Sequence, residues 1–505
     1  MSKTFYITTP LYYVNAKPHI GHAYTNIVVD AVSRYHRLKG DKVYFLTGTD
    51  EHGQKVAQAA TAANLENQAF VDKIVPKFTE LWEKLEISYD DFIRTTDQRH
   101  TKAVQQLLSD LYEKGDIYQG SYQGWYCTPC ETFVPNPGPE LVCPDCQRKL
   151  EEIKENNYFL KLSKYQEWLV KHIEDHPGFI RPETRRNEVL GFLKEPLLDL
   201  CISRPRERLS WGIELPFAPD HVTYVWFDAL TNYISAPGYL SDKKKFKDTW
   251  PADYHLIGKD ILRPHTVYWP IMLKALGIKL PECVFAHGWW LISGGKMSKS
   301  KGNVIDPMEM VNKYGVDSFR YFLLREVTFG LDGTFSEDAF VTRYNADLAN
   351  DLGNLLSRSL TMVDKYFEKA APAVKSKAPD DFLKPAYEEL KKEYPKAMDE
   401  FNFSGALTSL WKLINRANKC IEEKAPWTLA KEGKTAELAA LMKNLLEVLR
   451  ISGICISPFM PATGQEIIKR LGLTKQPKLS DINKWDFIPA GTKSDKGEIL
   501  FPRIK

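Results

Sequence analysis

The chain contains neither a G-x-x-x-x-G-K-S/T loop nor a G-x-G-x-x-G turn, so P-loop and dinucleotide-binding readings lose their basis. No apolar run approaches the roughly 18 residues that a membrane span needs, which sets membrane insertion aside. Met1 to Thr9 carries a single charge ahead of a β-rich run; it lacks the apolar core and small-residue cleavage site of a secretory signal. Four of the eight cysteines, Cys201, Cys283, Cys420 and Cys455, are scattered among apolar neighbours. That pattern fits a reducing compartment, and a cytoplasmic protein is expected. An excess of one charge sign is missing too: 68 Lys and Arg stand against 65 Asp and Glu, a net of +3. Any RNA contact must therefore come from local patches. No fixed-period repeat of the solenoid kind occurs.

What is present is an ordinary globular composition, 43% hydrophobic and 26% charged. A length of 505 residues exceeds one hydrophobic core and predicts about three or four domains. Strand-like runs at Phe5 to Thr9, Val43 to Leu46 and Phe92 to Thr96 alternate with helical periodicity over Ala23 to Lys39 and Gln98 to Lys114. Strand, helix, strand implies a parallel sheet with crossover helices. From about Gly115 to Pro219 the alternation lapses into a Pro- and Cys-containing stretch, and it resumes with Tyr254 to Ile257, a helix after Asp260, and Val284 to Ala286. Beyond about Asp338 the period is helical, with Leu348, Leu352, Leu355 and Leu356 on one side. The expectation is an α/β domain split by an insertion and followed by a helical bundle: residues 1–114, 115–220, 221–337 and 338–505.

Pro18-His19-Ile20-Gly21-His22 follows the first strand, where a loop should turn into a helix. Backbone N–H groups and the positive helix end would face an anion there, the imidazoles add donors, and Gly21 leaves room for a flat adenine base. Taken alone, this is equally a helix start with two incidental histidines. Far downstream, Gly294-Gly295-Lys296-Met297-Ser298-Lys299-Ser300-Lys301-Gly302 sets three lysines in a glycine-bracketed loop. Glycines give such a loop mobility, and lysines can neutralise a triphosphate in its transition state. Together the two elements resemble the HIGH and KMSKS signatures of class I aminoacyl-tRNA synthetases. The resemblance implies a Rossmann-like catalytic domain, with ATP, as its magnesium complex, bound by His19, Gly21, His22, Lys296 and Lys299. Of these, His19, His22, Lys296 and Lys299 would be catalytic, and Asp260 would lie near the ribose. Asp260 also fits a helix N-cap.

Thr8 to Asn15 (TTPLYYVN), Thr47 to Gly53 (TGTDEHG), Tyr224 to Leu230 (YVWFDAL) and Ile257 to Ile261 (IGKDI) resemble methionyl-tRNA synthetases. The likeness extends across essentially the whole chain. It implies a methionine pocket of Leu11, Tyr13, Asp50, Trp226, Ala229, Tyr233 and His265. The chemistry agrees: an ammonium needs a carboxylate, and a polarizable thioether suits aromatic walls. Asp50 at a strand end fits that role and also that of a helix cap. Trp226, Ala229 and Tyr233 recur at helical spacing, which equally describes ordinary core.

Cys127-Thr128-Pro129-Cys130 and Cys143-Pro144-Asp145-Cys146 are separated by twelve residues, close to the spacing of a four-thiolate zinc site. With no open coordination position, one structural Zn2+ is expected. In the isoleucyl, leucyl and valyl relatives the corresponding insertion holds a hydrolytic editing domain, and this one is too short for that. A missing methylene supplies only about 1 to 3 kcal/mol of discrimination, so homocysteine should leak into activation; the resemblance implies its rejection by cyclisation in the synthetic site.

In the helical region Asn354 and Arg358 share one helix face, and Trp427 follows Pro426 at a helix boundary, where a core anchor is the default. The resemblance makes these three the readers of the CAU anticodon of tRNA(Met), since unpaired bases are recognised by stacking and edge hydrogen bonds. It also suggests a short form without the C-terminal OB-fold tRNA-binding and dimerisation module, acting as a monomer. Two alternatives remain: another class I synthetase such as a cysteine-specific one, and a non-catalytic RNA-binding protein that retains the fold.

Overall fold

The computed structural model describes residues 3–127, 132–134, 137–144, 147–292, 305–374 and 378–505. The chain forms two compact units, one of Met1–Pro18, Tyr44–Glu80 and Tyr89–Ala286, the other of His19–Val43, Leu81–Ser88 and His287–Lys505.

The first unit is built on a seven-stranded sheet: β1 (Phe5–Thr8), β2 (Tyr12–Tyr13), β3 (Val43–Asp50), β4 (Asp91–Arg94), β5 (Ile180–Arg181), β6 (Tyr254–Gly258) and β7 (Val284–His287). The order is β2–β3–β1–β6–β7–β5, with β4 on β3. The pairs β1–β6, β7–β5, β2–β3 and β3–β4 run parallel, as the strand–helix rhythm predicts. In β3 the residues from Tyr44 to Asp50 are all buried, as expected of a strand inside a parallel sheet. A Cβ on Gly48 would stand 1.9 Å from the carbonyl oxygen of Ile93, so only glycine lets β4 lie this close.

The stretch after residue 115 is more ordered than its irregular sequence suggests. Ile117–Cys127 pairs antiparallel with Glu151–Leu160 over ten residue pairs, flanked by Thr132–Val134 and Leu200–Cys201. Its β5 also returns to the edge of the parallel sheet.

In the second unit the helix Ile20–Lys39 ends on Gly40 at φ 98°, a left-handed cap that favours glycine. Trp290–Ile292 pairs in parallel with Gly333–Phe335, and from Glu337 onward the described elements are helical. Leu348, Leu352, Leu355 and Leu356 are all buried. Every residue from Leu441 to Ile456 of the helix Thr435–Ile456 is buried, the mark of a central helix. Its internal charge is matched: Arg450 Nε lies 2.7 Å from Glu447 Oε2, and Glu447 Oε1 accepts from the backbone N–H of Ile488 at 2.7 Å. Arg320 and Asp30 form a second fully buried ion pair at 2.6 Å. Among the described residues no helix is long and apolar enough to cross a membrane.

Candidate active site

Several residues of the expected amino-acid pocket come together in the first unit. Parallel pairing sets Tyr13 opposite Asp50 at the ends of β2 and β3, and Val14 N–H donates to the Asp50 carbonyl at 3.3 Å. Asp50 is 3% exposed. It does not cap the next helix, whose N-cap is Gly53, so that alternative falls. Trp226, Ala229 and Tyr233 lie on one helix, Val225–Ser235. Ala229 and Tyr233 are buried, whereas Trp226 and Leu11 are half-buried against the same apolar core. Tyr233 Oη lies 2.7 Å from His265 Nε2, and the Trp226 ring meets His265 edge-on at 6.3 Å.

These contacts fix the state of His265. Its Nδ1 faces the Ile261 carbonyl at 2.8 Å; a carbonyl only accepts, so Nδ1 carries the proton and Nε2 receives the Tyr233 hydroxyl. Burial pulls this imidazole down to about 4, outweighing the Ile261 bond, so the ring is neutral at pH 7. Behind it, Tyr233 stacks on His255 at 4.0 Å, whose Nδ1 meets Thr8 Oγ1 at 2.9 Å and whose Nε2 accepts from Trp269 Nε1 at 3.2 Å. Burial holds His255 well below its ordinary value. Asp260 is exposed in the short 3-10 turn Lys259–Ile261. Gly258 is the N-cap there, so Asp260 is not the capping residue.

The second unit holds the imidazole pair. His19 is the N-cap of Ile20–Lys39: its Nδ1 accepts from Gly21 N–H at 3.1 Å, and His22 Nδ1 accepts from His19 N–H at 3.3 Å. A neutral ring that accepts on Nδ1 carries its proton on Nε2. The two rings stack with centroids 3.8 Å apart. A Cβ on Gly21 would touch the His19 ring at 3.0 Å, so the glycine admits the cap itself. One turn on, Thr25 Oγ1 lies 2.8 Å from His287 Nε2, and Tyr24 meets Trp290 edge-on at 5.7 Å. The start of this helix thus packs on the strand that leads into the lysine loop. Lys296 and Lys299 lie outside the described residues.

Residues 5–153 and 148–360 match the family described as tRNA synthetases class I (M), and residues 370–505 match the anticodon binding domain of methionyl tRNA ligase. All of this chain aligns at 52% identity with 79% of a methionine–tRNA ligase from Caldanaerobacter subterraneus subsp. tengcongensis. All of it also aligns at 49% with 80% of one from Fusobacterium nucleatum subsp. nucleatum. The solved structure of Mycobacterium tuberculosis methionyl-tRNA synthetase in complex with methionyl-adenylate fits with a TM-score of 0.94 at 41% identity, over 99% of this chain and 100% of that one. The chain belongs to the methionyl-tRNA synthetases.

As in that family, the parallel-sheet catalytic domain is Rossmann-like and an α-helical anticodon-binding domain follows it. Asn354 and Arg358 are half-buried on the helix Asn354–Phe367, directly after a π-helical segment, Tyr344–Gly353. Trp427 sits on the short helix Pro426–Lys431 and is 50% exposed, not the core anchor its setting suggests. In the insertion, Cys127 and Cys143 are both buried in one small cluster with Val134 and Leu150. Cys143 N–H donates to Arg148 O at 2.8 Å, and Gln147 N–H donates to Cys143 O at 2.9 Å. Cys130 and Cys146 lie outside the described residues, and among the described residues no group of three or more His, Cys, Asp or Glu is set to hold a metal.

Two groups escaped the sequence reading. Glu51 is fully buried and takes Arg94 Nε and Nη2 at 2.7 and 2.9 Å. Asp228 is fully buried between His52 and His100, each at 2.7 Å. Their signal was the polar run in TGTDEHG and the lone carboxylate in the otherwise apolar YVWFDAL.

Proposed function

We infer that this chain is a methionine–tRNA ligase: it activates L-methionine with ATP to methionyl-adenylate, releasing pyrophosphate, and transfers the methionyl group to the 3′ end of tRNA(Met). The observation that supports the site assignment is the stacked His19–His22 pair capping a helix whose Tyr24 packs on Trp290, in the strand before the lysine loop.

In this reading the two Nε2–H edges donate to phosphate oxygens of the magnesium-bound ATP, with Gly21 beneath the adenine and Asp260 near the ribose. A methionine carboxylate oxygen attacks the α-phosphorus, the bond to the β-phosphate breaks, and charge gathers on oxygens that Lys296 and Lys299 neutralise. Asp50 takes the ammonium. Leu11, Tyr13, Trp226, Ala229 and Tyr233 enclose the thioether, and the neutral His265 orients the Tyr233 hydroxyl by accepting from it. A terminal ribose hydroxyl of the tRNA then attacks the acyl carbonyl and AMP leaves. Asn354, Arg358 and Trp427 read the CAU anticodon.

The chemistry of the donor set fits one structural zinc held by Cys127, Cys130, Cys143 and Cys146: two of the four thiols share a small buried cluster, and four thiolates satisfy the ion without an open position. It would brace the insertion and take no part in the reaction. The proposal includes the division at residues 114, 220 and 337, a cytoplasmic setting and action as a monomer. The test is charging of tRNA transcripts: a CAU-bearing tRNA should accept methionine, and the same transcript with a changed anticodon should not. Equal charging of both would remove the anticodon assignment, and charging with another amino acid would overturn the whole reading.

A further inference from the structure

Asp228 stands between Trp226 and Ala229 on the pocket helix, fully buried, with both carboxylate oxygens taken by imidazoles from elsewhere in the fold. His52 Nδ1 lies 2.7 Å from Oδ2, and His100 Nε2 lies 2.7 Å from Oδ1. A carboxylate only accepts, so both facing nitrogens carry protons. His100 Nδ1 returns to the same helix at Ser235 Oγ, 2.9 Å away, and so ties both ends of that helix to Gln98–Glu113.

His52 provides the other connection. It follows Asp50 by two residues, and the residue between them is immobilised: Glu51 accepts from Arg94, from Thr49 Oγ1 and from Thr96 Oγ1, the last two both at 2.7 Å. Trp211 Nε1 holds the Glu51 carbonyl at 2.6 Å, and Gly53 N–H returns to the Trp211 carbonyl at 3.3 Å. The backbone around Asp50 is therefore pinned on each side, and the His52–Asp228 bond joins this pinned loop to the helix bearing Trp226, Ala229 and Tyr233. Burial alone would raise the Asp228 carboxyl; the two imidazoles hold it below the usual carboxylate range.

We propose that Asp228 is a positioning residue for amino-acid selection: through His52 it fixes the distance between the Asp50 carboxylate and the aromatic wall formed by Trp226 and Tyr233. The inference rests on the proposed methionine pocket. A substrate spanning these two elements is measured end to end, so a rigid tie favours the chain length that satisfies both ends. Homocysteine, one methyl shorter, loses the wall contact. Loosening the tie should cost methionine more than homocysteine, and should leave ATP alone.

Methionine-dependent and homocysteine-dependent ATP–pyrophosphate exchange tests this in Asp228→Asn, His52→Ala and His52→Asn, with Asp50→Ala as reference. We expect Asp228→Asn and His52→Ala to raise KM for methionine by about tenfold or more and to lower the preference over homocysteine, with KM for ATP within about twofold, because a specificity contact of this size acts on one substrate only. His52→Asn should recover most of what His52→Ala loses, since its amide N–H can occupy the place of Nδ1–H. Should Asp228→Asn not fold, the two His52 variants carry the test. Unchanged methionine KM and selectivity alongside a damaging Asp50→Ala would sink the positioning role alone. A silent Asp50→Ala would sink the pocket and the inference with it. Equal rises in both KM values, or no recovery with His52→Asn, would also count against the tie.

Discussion

His265 illustrates how one buried side chain sets both a local hydrogen-bond direction and a pH response. The folded ring titrates at about 4, held down by burial, whereas in the unfolded chain it takes its proton near 6.5. Between those values the unfolded state binds more protons, so its contribution to stability is present above about 6.5 and is lost as pH falls toward 4. His255, also lowered by burial, works in the same direction. A drop in the unfolding midpoint between pH 7 and pH 5 is expected, and His265→Gln should lose less over that interval; an identical drop would contradict the assignment. Tyr233→Phe should cost about 1–3 kcal/mol, because Nε2 would be left as a buried acceptor with no donor, and a shift in denaturant midpoint reads this directly. At this scale the motifs foretold local placement: His19 and His22 lie at a helix start and Asp50 at a strand end. His100, Asp228 and His255 carry no periodic signature: His100 and Asp228 meet across 128 positions of sequence, and nothing local announces such a pair.

At the scale of elements, β1, β3, β4, β6 and β7 were all foreshadowed by short β-branched or aromatic runs, because buried parallel strands concentrate such residues. β5 was not: two residues, Ile180 and Arg181, are too few to show a period. The π-helical turn at Tyr344–Gly353 was equally hidden, since it shifts the helical register without changing composition. Trp427 shows the limit of positional defaults: a tryptophan behind a proline reads as an anchor, and half of it faces solvent. Trp427→Ala should spare ATP–pyrophosphate exchange while weakening tRNA charging by about 1–3 kcal/mol, the worth of one stacked base. Unchanged tRNA kinetics would return Trp427 to the ordinary surface. For the insertion, Cys127→Ser should reduce bound zinc from about one ion per chain, measured by elemental analysis, because a three-thiolate site is weaker and open to water. Full zinc content in the variant would show that this cysteine is not a ligand.

On the whole-molecule scale, the proposed reaction draws on groups far apart in sequence. The HxGH helix and the strand Trp290–Ile292 before the lysine loop share a unit, where Tyr24 meets Trp290 edge-on at 5.7 Å, although they lie far apart in sequence. Lys299→Ala should therefore slow adenylate formation far more than it weakens methionine binding, since its charge counts most as negative charge accumulates in the transition state. Equal losses in both would remove that rationale. The most direct measurement is ATP–pyrophosphate exchange with each of the twenty amino acids in turn. The account predicts strong stimulation by methionine and little by the others; stimulation by cysteine without methionine, or exchange with none, would contradict it.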